Sequence, residues 1–167
     1  MEYAIDLGNL DALEAAFRAA PRVAAEELAA AAEESGALLA REAQERMQVG
    51  ATGLLRSSTF HEVRALPAGV EAIVGTPMGY AAPVELGTRP HMPPVEPLVD
   101  WVKAKLAISN EKAARGVAFA IARKIAVRGT KPQAPFKRTF DAQEAAARAI
   151  FARAMERIAA RMAGGAA

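Results

Sequence analysis

The sequence predicts an α+β protein: a small, mostly antiparallel β-sheet packed by long α-helices, with extra helices in the C-terminal half. Alanine supplies 42 of the 167 residues, and alanine is the strongest helix former. Apolar residues recur at helical spacing on both sides of a middle segment that is rich in β-branched and turn-forming residues. The length fits one domain, residues 1–167, with 1–50 helical, 51–93 forming a β-hairpin and a structured loop, and 94–163 helical.

The first fifty residues predict two helices. Asn9 is suited to cap the first, and Pro21 is expected to interrupt it because proline lacks the backbone N–H of a helix interior. A longer helix rich in Ala and Glu should run from Arg22 to about Val49 and end at Gly50.

Two pairs of adjacent glutamates lie in this long helix, Glu26–Glu27 and Glu33–Glu34. Adjacent helical residues point about 100° apart, so neither pair shares one site for acid–base chemistry. We expect these glutamates to form a solvated face.

The middle of the chain predicts a β-hairpin. Ser58–Leu66 and Val70–Gly75 contain β-branched and aromatic residues, and Pro67-Ala68-Gly69 between them is typical of a turn. Two strands alone are marginal, so they must pack on a helix or join a larger sheet. Gly75–Pro97 then holds six prolines and three glycines, which excludes a long helix and predicts a structured loop or several short elements.

Helical patterns return after this loop. Asp141 and Glu144 have the spacing of a capping box for the last helix. The three helices expected here are Pro97–Ala107, a second capped by Ser109 or Asn110 and ending near Gly129, and a last helix after the Thr130–Phe136 loop.

The net charge of +2 hides a marked asymmetry along the chain. Residues 1–102 contain 7 Lys and Arg against 15 Asp and Glu, whereas residues 103–167 contain 14 against 4. Three interpretations stay open: solvated helix faces of different sign, head-to-tail assembly of a basic surface on an acidic one, and nucleic-acid binding by the basic half. No helix-turn-helix, zinc-finger or aromatic RNA-binding motif accompanies the basic residues.

No catalytic or metal-binding pattern stands out. The absence of cysteine excludes disulfides, thiolate zinc sites and cysteine nucleophiles. His61 and His91 belong to no metal-spaced cluster, and there is neither a phosphate-binding glycine loop nor a nucleophile elbow. No apolar run is long enough to span a membrane, and the acidic first residues are unlike a signal peptide. We therefore expect a protein that is not an enzyme and that uses no cofactor or metal.

Three short segments, taken together and in this order along the chain, resemble those of a known family. They are Thr52-Gly53-Leu54-Leu55-Arg56-Ser57-Ser58, Tyr80-Ala81-Ala82-Pro83-Val84-Glu85-Leu86-Gly87-Thr88 and Gly129-Thr130-Lys131-Pro132-Gln133-Ala134-Pro135-Phe136. They resemble the neck family of long-tailed double-stranded DNA phages, described as tail-completion or head–tail joining proteins and distantly similar to lambda minor tail protein Z. The resemblance covers the chain from about Glu26 to its end. Residues 94–128 are longer and more helical than the corresponding part of many members.

The resemblance implies a structural role in a virion. Copies of the chain would form part of a ring at the phage neck, made in the host bacterial cytoplasm, that joins the connector or head-completion protein to the tail terminator or tail tube. DNA would pass through the lumen without sequence specificity. Two alternatives stay open: a tail terminator that caps the tube, and, from another class, a basic nucleic-acid-binding protein.

The candidate subunit or partner contacts come mainly from these three segments. Arg56 is either such a contact or an exposed charge at a strand edge, and Gly53 is expected to turn the long helix into the first strand. Tyr80 is expected to be a buried ring with a polar tip, and Glu85 to accept its hydrogen bond or to pair with Arg89. Phe136 is expected to anchor the last helix in the core, with docking to a neighbouring subunit as the alternative. The full set is Arg56, Tyr80, Glu85, Arg89, Arg128, Lys131, Phe136, Lys137 and Arg138.

Overall fold

The computed structural model describes residues 10–164 except 49, 51 and 68. It confirms the α+β class: six helices accompany one two-stranded antiparallel sheet within this range. The elements are α1 (Leu10–Arg46), α2 (Leu54–Ser57), β1 (Phe60–Leu66), β2 (Gly69–Gly75), α3 (Ala81–Leu86), α4 (Val95–Leu106), α5 (Glu111–Arg128) and α6 (Pro135–Gly164).

The expected break at Pro21 is wrong, because α1 continues through it for 37 residues. The missing hydrogen bond costs about 3 kcal/mol locally, but alanine-rich sequence on both sides and packing further along favour the helix. The helix ends at Arg46. Asn9 and Val49, the expected cap and the expected last residue, lie outside the described residues.

The hairpin prediction is confirmed by β1 and β2, and the hairpin packs on a helix as expected. The His61 ring lies 3.1 Å from the position that a Cβ on Gly36 of α1 would occupy. The His61 Nε2 atom lies 2.7 Å from Glu33 Oε1. Gly36 thus gives the strand room to approach the helix closely.

The helices α4 and α5 pack against each other and are joined by residues 107–110, and both were predicted. Val99 and Val102 of α4 pack against Ala114 and Ala118 of α5, whose small side chains allow close approach. Asn110 caps α5, because its Oδ1 accepts a hydrogen bond of 3.0 Å from the backbone N–H of Ala113. Gly129 follows the last residue of α5 with a φ of 66°.

The capping box predicted at Asp141 and Glu144 is wrong, because α6 begins at Pro135. Proline suits the first helical position, where its missing N–H has no intrahelical partner. Asp141 instead accepts a hydrogen bond of 2.7 Å from Lys137, and Glu144 pairs with Arg148, so both carboxylates stabilise side-chain pairs four residues apart.

The chain divides into two compact units. Unit 1 comprises Met1–Leu38, His61–Val74 and Gln143–Ala167, and unit 2 comprises Leu39–Phe60 and Gly75–Ala142. Counted from the sequence, unit 1 has 7 Lys and Arg against 12 Asp and Glu, and unit 2 has 14 against 7. The charge asymmetry therefore follows the units as well as the two halves of the chain.

Candidate functional site

Two of the three family-like segments cross each other in unit 2. The backbone N–H and carbonyl of Thr88 exchange hydrogen bonds of 3.1 Å with those of Thr130, which makes an isolated antiparallel bridge. Their hydroxyl oxygens lie 3.1 Å apart. The backbone N–H of Gln133 donates to the carbonyl of Val84 at 3.0 Å. We call the paired segments 84–89 and 129–133 the segment crossing.

Two glycines make the crossing possible. Gly87 and Gly129 have φ values of 73° and 66°, in the region that favours glycine. A Cβ at Gly87 would collide with the carbonyl oxygen of Thr130, and a Cβ at Gly129 would collide with that of Thr88. Each segment thus presents a glycine where the other segment's backbone passes.

Glu85 caps the N-terminus of α6. Its two carboxylate oxygens accept hydrogen bonds from the backbone N–H groups of Phe136 at 3.0 Å and Lys137 at 2.8 Å. The negative charge also suits the positive end of the helix dipole. The expected partners Tyr80 and Arg89 are therefore wrong, because the carboxylate is held by a helix terminus some fifty residues along the chain.

The first family-like segment forms the short helix α2 rather than the entry to a strand. Gly53 precedes it with a φ of 68°, and the helix turns the chain before β1 begins at Phe60. Arg56 lies exposed on α2, so the predicted position at a strand edge is wrong. Leu55 is buried against Met47, and the Thr59 hydroxyl donates to the Leu55 carbonyl at 2.9 Å.

A groove of about 700 Å³ brings all three family-like segments together in unit 2. Tyr80 is 46% exposed, so the prediction of a buried ring is wrong. Leu54, Trp101 and Leu106 also line the groove and are 50%, 37% and 48% exposed. The lining residues are Gln48, Gly50, Thr52, Gly53, Leu54, Leu55, Tyr80, Val84, Trp101, Lys105, Leu106 and Gln133.

Phe136 packs beside this groove, as predicted for a core anchor. It is half-buried and contacts the cluster formed by Ala43, Met47 and Leu55. The backbone N–H of Phe136 donates to Glu85. The Phe136 side chain and the start of α6 are therefore both held by residues of unit 2.

The predicted cationic contacts lie around the segment crossing. Arg128 ends α5, Lys131 lies in the crossing, and Lys137 and Arg138 lie in the first turn of α6. All four are exposed. Lys137 pairs with Asp141, whereas the other three have no carboxylate partner among the described residues. Their role in subunit contacts stays a prediction.

The arginines of α6 in unit 1 behave differently. The prediction of a solvated glutamate face is confirmed for Glu26, Glu33 and Glu34, which are exposed, and is wrong for Glu27. Glu27 is only 15% exposed and accepts hydrogen bonds from Arg157 at 2.6 Å and Arg161 at 3.0 Å. Hydrogen bonds from these two guanidinium groups lower the pKa of Glu27, and the bond from Arg157 has the larger effect. Arg161 also contacts Glu26, and Arg153 contacts Glu34.

The sequence reasoning missed the groove as a site. The apolar stripe of α4 correctly indicated a packed face, but Trp101 and Leu106 lie at its edge and remain exposed. Their positions, 21 and 26 residues after Tyr80 in sequence, gave no signal, because only the tertiary structure brings them to one groove with the family-like segments.

Neither histidine belongs to a metal site in the described part of the chain. His91 contacts the carbonyl of Arg89 through Nδ1 at 2.9 Å, in the loop position predicted for it. Within residues 10–164, apart from the three gaps, no group of three or more His, Asp or Glu could hold a metal ion. No described helix is long and apolar enough to cross a membrane. No family model, curated protein or solved structure matches this chain.

Proposed function

We propose that the chain is a structural subunit of a ring at the neck of a tailed double-stranded DNA phage, where it joins the head to the tail. The observation that carries this proposal is the convergence of the three family-like segments on one groove of unit 2. Residues 52–55, 80, 84 and 133 are far apart in sequence. Their convergence supports a common surface role for the segments on which the resemblance rests.

The groove is the part of this surface that we assign to a neighbouring copy. Four large apolar or aromatic side chains line it in an exposed position: Leu54, Tyr80, Trp101 and Leu106. Concentrated exposed apolar area marks interaction sites more often than solvated surface. In a ring each copy uses two different surfaces, so the groove of one copy would contact a different surface of the next copy.

The groove contact is tested with the double variant Leu54→Glu, Leu106→Glu. Both side chains are about half exposed, so the monomer should stay folded while two charges oppose an apolar contact. The matched control is Leu86→Glu, which changes a leucine of the same unit that is 73% exposed and outside the groove lining.

Assembly is measured by sedimentation velocity over a range of concentrations and by negative-stain electron microscopy. We expect the wild type and the Leu86 control to form rings and the double variant to remain monomeric with an unchanged circular dichroism spectrum. Rings of normal size from the double variant would remove the groove from the subunit contact. Absence of rings from the wild type at all concentrations and with purified connector would contradict the ring itself.

The role in the particle is tested by deleting the gene from a phage that encodes this chain and restoring it in trans as the control. DNA-filled heads beside separate tails of normal length are expected for a joining protein. Tails of uncontrolled length would identify a tail terminator instead. Intact, normally tailed particles would overturn both roles.

A further inference from the structure

A long stretch of unit 2 carries positive charge without compensation. Between Glu111 and Asp141 there are eight Lys and Arg and no Asp or Glu. Arg115 pairs with Glu96 and Lys137 with Asp141. The remaining cations have no carboxylate partner in the described part of the chain, and they are exposed.

The fold brings two chain segments that carry or adjoin these cations together at the segment crossing. The backbone of Arg89 lies 2.9 Å from the position of a Cβ on Gly129, so Arg89 meets the end of α5. Arg128 and Lys131 are three residues apart, which limits their Cα atoms to a separation of about 11 Å. We name the cation cluster by its members: Arg89, Arg123, Lys124, Arg128, Lys131 and Arg138.

The stability of the fold does not account for this cluster. Lys124 and Arg128 are like charges four residues apart on α5, an arrangement that costs a few tenths of a kcal/mol. Arg138 lies in the first turn of α6, where a cation opposes the helix dipole. The nearby carboxylate of Glu85 is already bonded to two backbone N–H groups of α6. No ion pair in the described part of the chain offsets these small costs, so the charges of the cluster remain exposed to an external anion.

We infer that the cation cluster binds the phosphate backbone of duplex DNA without reading its sequence. Three of the six side chains lie on α5, two in the segment crossing and one in the first turn of α6, and none of them lines the groove. An exposed cluster of this breadth suits a polymer with regularly spaced charges, because each phosphate contact releases counterions. The inference holds whether or not the chain forms a neck ring, and it assigns Arg128, Lys131 and Arg138 to DNA rather than to a neighbouring subunit.

The test measures binding of a fluorescent 30-base-pair duplex of mixed sequence by anisotropy at several salt concentrations. The variant replaces four cations of the cluster by glutamine: Arg123→Gln, Lys124→Gln, Arg128→Gln and Lys131→Gln. We expect the wild type to bind with a negative slope of log K against log salt. The variant should bind at least about tenfold more weakly, with the slope reduced by about 3.6, since each of the four lost phosphate contacts removes about 0.9.

The matched control makes the same change of net charge in unit 1. It replaces four exposed arginines that pair with glutamates close to them in sequence: Arg18→Gln, Arg22→Gln, Arg64→Gln and Arg148→Gln. We expect this control to keep nearly all of the wild-type affinity and slope. Equal losses in both variants would show that net charge alone attracts DNA and would overturn the assignment to the cluster.

Two further outcomes would also overturn the inference. One is the absence of duplex binding by the wild type at 50 mM salt. The other is loss of self-assembly by the cluster variant with DNA binding unchanged, which would make the cluster a subunit contact. The groove variant separates the two proposals, because its monomer should still bind DNA even if rings fail to form.

Discussion

Two sets of basic residues in the last third of the chain look alike in sequence and differ in the structure. Arg148, Arg153, Arg157 and Arg161 of α6 lie in unit 1, and each is paired with a glutamate. Arg123, Lys124, Arg128, Lys131 and Arg138 lie in unit 2 with no carboxylate partner among the residues described.

This difference shows that counting charged residues in the sequence overestimates the unpaired positive charge on the surface, because some of the cations form ion pairs within the fold. Three of the four arginines of α6 contact glutamates of α1 within unit 1, and Glu27 gives two of them a partly buried acceptor. Arg148 pairs only within α6. Among the residues that the structure describes, the cation cluster makes no such ion pairs and stays exposed. The basic half seen in the sequence therefore contains one set of cations paired with glutamates and one set that is unpaired in the described part of the chain.

The largest effect on stability is expected from Gly129→Ala, which introduces a side chain at the segment crossing, next to the cation cluster. A Cβ there would strike the Thr88 backbone at a φ of 66°, so we expect a loss of about 3 kcal/mol in the free energy of unfolding. Urea denaturation measures it. The control Gly116→Ala meets open space inside α5 and should raise stability by up to about 1 kcal/mol. A neutral Gly129→Ala would contradict the close crossing.

A smaller effect is expected from Glu85→Ala, which removes the cap of α6 next to the cluster. Two backbone N–H groups lose a charged acceptor, and we expect a loss of about 1–2 kcal/mol in the free energy of unfolding. Thermal unfolding of Glu45→Ala, an exposed glutamate of α1 in the same unit, is the control and should change little. If both variants unfold alike, the cap contributes nothing measurable.

The paired region is tested through pH with Glu27→Gln. Hydrogen bonds from Arg157 and Arg161 hold the pKa of Glu27 below its ordinary value of 4.5. The folded state thus binds this proton less readily than the unfolded state, and the stabilisation is present above pH 4.5 and lost as pH falls through the lowered pKa. Urea denaturation should show the wild type more stable than Glu27→Gln at pH 7, with the difference closing as the pH falls below 4.5 and through the lowered pKa.

Glu14→Gln is the control for this prediction, because it removes only an exposed pair with Arg18. Its effect should stay near 0.5 kcal/mol or below at pH 7. A Glu27 difference that does not depend on pH would mean that the two arginines stabilise unit 1 by packing alone.

The smallest effect is expected from Arg123→Gln in the cation cluster. This side chain is exposed and has no ion-pair partner in the described chain, so the change should lie within about 0.5 kcal/mol of zero. Arg157→Gln, which removes a partner of Glu27, should destabilise unit 1 more than Arg123→Gln destabilises unit 2. Chemical denaturation of the two variants gives the change in free energy of unfolding for each. Equal changes would contradict the difference between paired and unpaired cations.

Much of the fold was predictable because local signals agreed with it. Asn110 and Gly129 mark the two ends of α5, as predicted. A side-chain cap and a glycine after the last turn depend only on residues within a few positions, so the sequence alone reveals them. Pro21 and the Asp141–Glu144 pair misled the prediction, because packing overrides a local cost in α1 and a proline already starts α6 at Pro135.

The candidate site was predictable only in part. The family-like segments gave Tyr80 and Glu85, but the partner of Glu85 is more than fifty residues later in the chain, at Lys137. Trp101 and Leu106 carried only the pattern of a packed helix. A contact that depends on where two distant segments meet leaves no periodic pattern in either one.

The sequence by itself determined that helices flank a β-hairpin, and it determined the total charge, because propensity, periodicity and turn chemistry act over a few neighbouring residues. Tertiary structure alone decided that Gly87 and Gly129 lie against the backbone of each other's segments and that Trp101 lines the groove. It also decided which arginines pair with glutamates. Charges and close approaches depend on distances in space. Those distances are set only when segments far apart along the chain pack together.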